Sequence, residues 1–318
     1  MDVAVVGAGI SGLACAVRLR EAGCSVELVA AEPPGQTTSA VAAALWYPYR
    51  AFPEREVTRW GAATYAVLAE MAGVAGTGVR LRTGREIFQI PTPEPWWRGA
   101  VPTLDRVPLA DLPPGYVDGF VLSVPVVDSS VHLPWLRQRA TDTGVRFRWE
   151  HVTDLAAVAP QADAIVNCTG LGSLGLLGDN SLVPVRGQIV VVEQIGLTEW
   201  LLADTDPEVS TYVVPREQTI VLGGTAEVGA TDLQPDAATA EGVRERCVAL
   251  VPVLASARVL THRVGLRPTR PAVRLEADRL ASGQPVVHNY GHGGSGWTLS
   301  YGCAADVVEM VLSLPGDS

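Results

Sequence analysis

The chain opens with Val3-Ala4-Val5-Val6-Gly7-Ala8-Gly9-Ile10-Ser11-Gly12-Leu13: a continuous apolar run, a glycine-rich turn, and an apolar segment at helical spacing. Four apolar residues in a row mark a strand buried on both faces of a parallel sheet. Gly7 permits the tight turn, Gly9 lets backbone amides approach a pyrophosphate at the helix N-terminus, and Gly12 lets helix and strand pack closely. Alone, G-x-G-x-x-G is a weak pattern; between a buried strand and a helix it points to a dinucleotide. The plain alternative is a glycine turn that serves packing only. A helix is expected from Ser11 to Ala22 with Gly23 as its C-cap, then a second strand from Val26 to Ala30, which gives a βαβ start. The acid that usually holds a ribose at the end of the second strand is missing, since Ala30 and Ala31 stand there, and Glu32 is the candidate substitute.

Parallel-sheet texture returns in ADAIVNCTGLGS (162–173), a buried strand ending in a glycine turn, and in PVVHNYGHGGSGWTLSYGCAADVVEMVLSL (285–314), again strand, glycine turn and helix. Between these segments, RGQIVVVEQ (186–194) and EVSTYVVPREQTIVLGG (208–224) partly alternate apolar and polar residues, as half-buried antiparallel strands do. Helices are expected at 58–72, 131–144 and 237–252, and a strand at 145–152. Residues 91–125, rich in Pro and Gly, read as a loop-heavy cover. The expected fold is therefore α/β: a Rossmann-like nucleotide-binding domain from the discontinuous segments 1–50, 134–186 and 262–318. An α+β substrate domain, 51–133 and 187–261, is inserted into it on a mixed or antiparallel sheet.

All 24 basic groups among the 318 residues are arginines. With no lysine, Schiff-base chemistry and a phosphate-loop lysine are excluded. A net charge of −10 offers no basic stripe for nucleic acid. Five cysteines, with no C-x-x-C pair, suggest reduced thiols in a cytoplasmic protein. No apolar stretch is long enough for a membrane span, and the N-terminus, without a charged leader, is expected to be the mature one.

Three further clusters stand out. Thr37-Thr38-Ser39-Ala40-Val41-Ala42-Ala43-Ala44-Leu45-Trp46 joins small hydroxyls to small apolar residues, suiting a loop that runs against a cofactor; a small-residue turn before a helix would look the same. Gly291-His292-Gly293-Gly294-Ser295-Gly296 is a second glycine turn before a helix, whose positive end can stabilise charge on a bound cofactor; a loop without a ligand would read the same. His292 is expected to make a backbone hydrogen bond rather than act as a base. Arg267 and Arg270 lie in a proline-fixed segment, where an arginine suits bidentate capture of a carboxylate or a surface ion pair. Tyr212, on a strand, is ordinarily a packing residue.

Taken together, VVGAGISGL, TTSAVAAALWYPY, VNCTGLGS, PVRGQ, TYVVPR, VLGGT, GLRPTRPAVRLE and VVHNYGHGGSGWTLSYGCA resemble the D-amino-acid oxidase family across most of the chain. The last string is the most specific. The resemblance implies non-covalent FAD and oxidative deamination of a D-amino acid by hydride transfer from Cα to flavin N5. The products would be a 2-oxo acid, ammonia and, from dioxygen, hydrogen peroxide. It implies that Arg267 clamps the substrate carboxylate, Tyr212 shares that carboxylate through its hydroxyl, and the Gly294 carbonyl accepts from the substrate amine. The cofactor-binding set it implies is Gly7, Gly9, Ile10, Ser11, Gly12, Glu32, Thr37, Thr38, Ser39, Ala43, Ala44, Leu45, Trp46, Val152, Cys168, Thr169, Gly170, Arg267, Gly293, Gly294, Ser295, Gly296, Trp297 and Thr298. DPEVS before Tyr212 lacks the lid tyrosine of some relatives, which implies a more open cleft. Ala226 after the GGT turn favours neutral or apolar substrates, while Arg216 and Arg270 leave an acidic one open. The alternatives are a glycine or sarcosine oxidase, a D-aspartate oxidase and, more remotely, a non-catalytic nucleotide-binding module. A homodimer is left open.

Overall fold

Val3, Ala4, Val5 and Val6 are buried because their strand has parallel neighbours on both sides and is covered on both faces. The computed structural model describes residues 1–158, 160–204 and 209–314. The strands, in chain order, are β1 (Asp2–Val6), β2 (Ser25–Ala30), β3 (Val79–Phe88), β4 (Asp105–Arg106), β5 (Asp118–Val127), β6 (Arg146–Trp149), β7 (Ala164–Asn167), β8 (Val183–Glu193), β9 (Trp200–Asp204), β10 (Ser210–Pro215), β11 (Thr219–Gly223), β12 (Glu227–Val228), β13 (Val259–Arg279) and β14 (Pro285–His292). They form one sheet in the order β4-β5-β3-β9-β10-β11-β8-β13-β14-β7-β1-β2-β6, with β12 beside β8.

From β14 to β6 every pairing is parallel, the doubly wound part foreseen from the opening turn. The helix Ile10–Glu21 buries residues nearly all round, because it packs under the sheet and against the helices Ser129–Asp142 and Gly296–Leu312. From β4 to β8 the pairings are antiparallel except β3 with β9. A second apolar cluster there gathers Trp46, Trp97, Phe120, Leu202 and Val214.

Two expectations are corrected. The loop-heavy region 91–125 ends in a true strand, β5, where Phe120, Leu122 and Val124 alternate inward; Pro125, paired with Leu81, masks that alternation in the sequence. The proline-fixed segment around Arg267 belongs to the 21-residue strand β13, which pairs with β8 from Val259 to Thr269 and with β14 from Thr269 to Arg279. The irregularity between Thr269 and Arg274 accommodates Pro271. β13 thereby joins the parallel and antiparallel parts into one sheet.

Candidate functional site

The first glycine turn is built as its spacing requires. Gly7 has φ +112°, and a Cβ there would lie 2.4 Å from the Cys168 carbonyl oxygen. At Gly12 a Cβ would lie 1.9 Å from the Gly7 carbonyl oxygen, so helix and strand meet backbone to backbone. Gly9 differs: its Cβ would meet only the Ser39 hydroxyl, at 3.2 Å. That hydroxyl accepts a hydrogen bond from the Ile10 amide at 3.0 Å, tying the 37–46 loop to the helix start.

These residues open onto a cavity of about 550 Å³, within the size range of small-molecule and cofactor sites. It is lined by Gly7, Gly9, Ile10, Ser11, Glu32, Thr37, Thr38, Ser39, Ala43, Ala44, Leu45, Val152, Cys168, Thr169, Gly170, Tyr212, Arg267, Gly293, Gly294, Gly296 and Trp297, so most of the expected set converges. Gly12, Trp46, Ser295 and Thr298 stand outside that lining. Trp46 is buried with its indole N–H on the Gly61 carbonyl, and the Ser295 hydroxyl donates to the Tyr49 carbonyl. Thr298 accepts from the Tyr47 amide at 3.0 Å and donates to the Tyr47 carbonyl at 2.9 Å. The Trp297 indole N–H reaches the Ser39 carbonyl. The side chains of the second glycine turn and its helix therefore brace the 39–49 loop.

Arg267 rises from β13 and lies flat over Gly187, where a Cβ would sit 2.4 Å from its Nη1 and 2.6 Å from its Cζ. Its Nη1 donates to the Thr225 carbonyl at 2.9 Å, which fixes the guanidinium plane. The Tyr212 ring crosses the Gly223-Gly224 backbone, with the Arg267 charge acting on its hydroxyl. Burial raises the Tyr212 pKa, and the Arg267 charge works the other way, so the phenol stays a neutral donor. A fixed guanidinium and a phenol at one wall of the cavity form a carboxylate-binding pair.

His292 lines the cavity, but burial lowers its pKa to about 4, and its Nε2 bonds the Asn289 side-chain oxygen at 2.9 Å. It is a neutral structural histidine, as foreseen, though its partner is a side chain. Cys168 is beside Cys15, and that contact together with burial holds its thiol well above the usual range. Arg216 and Arg270 are corrected as candidate side-chain anchors. Arg216 is buried, donates to the Ala42 and Ala43 carbonyls and pairs with Asp128; Arg270 pairs with Asp179 at 3.0 Å and donates to the Ala272 carbonyl. Neither lines the cavity. The expected absence of a lid tyrosine concerns DPEVS (206–210), of which 206–208 lie outside the described residues.

Tyr47, Tyr49, Gly187, Ile189, Leu202 and Val214 line the site without having been singled out. Only Gly187 left a signal, a glycine inside a β-branched strand, which often marks close approach of another group. Among the described residues, no group of His, Cys, Asp and Glu could hold a metal ion.

The family model for FAD dependent oxidoreductases (DAO) matches residues 2–310. A D-amino-acid oxidase from Rubrobacter xylanophilus is 48% identical over 307 residues, covering 96% of this chain and 94% of its own. A second, from Streptomyces coelicolor, is 43% identical over 313 residues, covering 97% and 96%. Among solved structures, glycine oxidase from Geobacillus kaustophilus superposes with a TM-score of 0.82 at 19% identity, covering 99% of this chain and 95% of that one. At that identity the likeness is one of fold.

Proposed function

The chain belongs to the DAO family of FAD-dependent oxidoreductases, and on that premise we propose that it oxidises neutral and apolar D-amino acids to 2-oxo acids with release of ammonia. The observation that carries the reading is the Arg267–Tyr212 pair, fixed on one wall of the cavity that also contains the glycine turn. FAD, when bound, supplies the two-electron acceptor that dioxygen reoxidises with formation of hydrogen peroxide. The chain fits that cofactor. Gly7 and Gly12 bring the helix N-terminus to the cavity, and Gly9 leaves room where a side chain would intrude.

In this reading the Arg267 guanidinium takes both carboxylate oxygens, the Tyr212 hydroxyl donates to one of them, and the Gly294 carbonyl accepts from the amine. Three contacts orient Cα, and orientation does most of the work because no acid or base need be supplied by the protein. The neutral preference rests on the lining. Among the described residues Arg267 is its one arginine, while Leu45, Ile189, Leu202 and Val214 supply apolar surface. Arg216 and Arg270 are committed elsewhere, which disfavours an acidic side chain.

We divide the chain between a cofactor part and a substrate part, with the second cut at 128/129 rather than 133/134. The whole helix Ser129–Asp142 packs with the glycine-turn helix in one core. We also infer a cytoplasmic protein from the five buried, unpaired thiols. Among the described residues, no helix is long and apolar enough to cross a membrane.

The test is Arg267→Ala. Losing a charge-assisted bidentate contact is expected to weaken substrate binding by about 2 kcal/mol or more, read as a rise in KM for D-alanine of roughly 30-fold. Arg267→Lys is expected to recover little, because a point charge cannot reproduce the planar fork. A normal KM in Arg267→Ala would contradict the pose.

A further inference from the structure

Glu86 is an acid at 3% exposure, paired across the sheet with Phe120 on one side and Leu202 on the other. The Tyr47 hydroxyl donates to its Oε1 at 2.5 Å. The register explains where this pair lies. Glu86 pairs with Leu202, Leu202 with Tyr212, and Tyr212 with Gly223, so the first three side chains form one row on the cavity face of β3, β9 and β10. Tyr212 stands at one end of the row, at the carboxylate clamp, and Glu86 with Tyr47 at the other, two strands away. At ~4.8 Å per strand that is about 10 Å.

We propose that Tyr47, positioned by Glu86, is the end wall of the substrate side-chain pocket and sets the length of side chain that the enzyme accepts. The inference rests on Arg267 and Tyr212 being the carboxylate clamp. With the carboxylate at the Tyr212 end, the substrate side chain runs over Leu202 toward Tyr47. The stretch that remains is about one strand spacing, ~4.8 Å, which suits a branched aliphatic side chain and is short for an aromatic one. The wall is rigid. Thr298 holds both backbone polar groups of Tyr47, Trp97 packs edge-on against its ring at 5.5 Å and 74°, and Glu86 holds its hydroxyl. A residue fixed at backbone, ring and hydroxyl cannot swing aside to admit a longer substrate.

The test compares kcat/KM for D-phenylalanine with that for D-valine in each variant, a ratio that does not depend on the fraction of active enzyme. Tyr47→Ala and Tyr47→Leu are expected to raise the ratio about tenfold or more, the scale at which pocket volume discriminates between substrates. Glu86→Leu releases the ring and raises the ratio by less, and Glu86→Gln, which still accepts the phenol hydrogen bond, restores the wild-type ratio. Where turnover is lost, the binding of 3-phenylpropanoate against propanoate, read from flavin absorbance, gives the same comparison. A ratio within about twofold of wild type in both Tyr47 variants would overturn the end-wall assignment. Wild-type inactivity toward both D-amino acids would instead overturn the functional reading on which it rests.

Discussion

The glycine turns at 7–12 and 291–296 both follow a buried strand and both start a helix, yet their glycines have different neighbours. In the first, Gly7 and Gly12 are held against backbone, the Cys168 and Gly7 carbonyls. In the second, a Cβ on Gly291 would meet Arg270 Cδ at 2.9 Å and one on Gly294 would meet Tyr49 Cδ1 at 2.6 Å, both parts of side chains; Gly293 alone meets backbone, at Arg50. Gly9 and Gly296 stand apart from the rest. Both border the cavity, Gly9 meeting only a hydroxyl and Gly296 nothing within 4 Å. One turn is thus fixed by the fold itself, while the other is shaped around movable side chains, and each has one cavity-lining glycine, Gly9 or Gly296, whose Cβ would meet at most a hydroxyl.

The largest expected effect comes from Gly12→Ala. Its Cβ cannot avoid a backbone oxygen 1.9 Å away, so helix and strand must separate, at a cost of about 3 kcal/mol or more. Chemical denaturation should show this as a large drop in midpoint, and a midpoint within error of wild type would break the contrast between the two turns. Next in size are Gly9→Ala and Gly296→Ala, whose backbones tolerate a side chain. Thermal unfolding without added cofactor should be nearly unchanged, while FAD affinity in a titration falls roughly tenfold, about 1.4 kcal/mol. Loss of stability with unaltered FAD affinity would place both glycines in the fold rather than in the cofactor site.

The smallest effect separates the turns by pH. The first carries no titratable group, whereas the second holds His292, whose pKa burial lowers from 6.5 to about 4. Below about 6.5 the unfolded chain takes up a proton that the folded chain does not, so stability is complete above that value and falls as pH drops toward 4. His132 and His288, also lowered by burial to about 4, act in the same direction. Melting temperature should therefore fall between pH 6.5 and 5, and His292→Gln should flatten part of that slope, on the order of 1 kcal/mol. An unchanged slope in the variant would show that His292 does not contribute.

The contrast also explains what could be read in advance. Strand, glycine turn and helix are local patterns, so both turns, their flanking elements and most of the lining were legible. Val152, by contrast, came only through the family resemblance. β5 and the full length of β13 were hidden because Pro125, Pro268 and Pro271 interrupt the alternation on which a strand is recognised, although all three lie in paired strands. Arg216 and Arg270 showed their charge but not their direction, which depends on Asp128 and Asp179 far along the chain. Tyr47 and Glu86 meet only because 39 residues of chain return to the same row of the sheet. No local pattern encodes that register.

The most direct measurement is peroxide release by the purified protein, with and without added FAD, on a panel of D-amino acids, their L-enantiomers, glycine and sarcosine. The account predicts a flavin-coloured protein that releases peroxide from D-alanine and D-valine and not from the L-forms, with D-aspartate a poor substrate. Peroxide from glycine or sarcosine alone, or a colourless protein that gains no flavin absorbance on adding FAD, would contradict it.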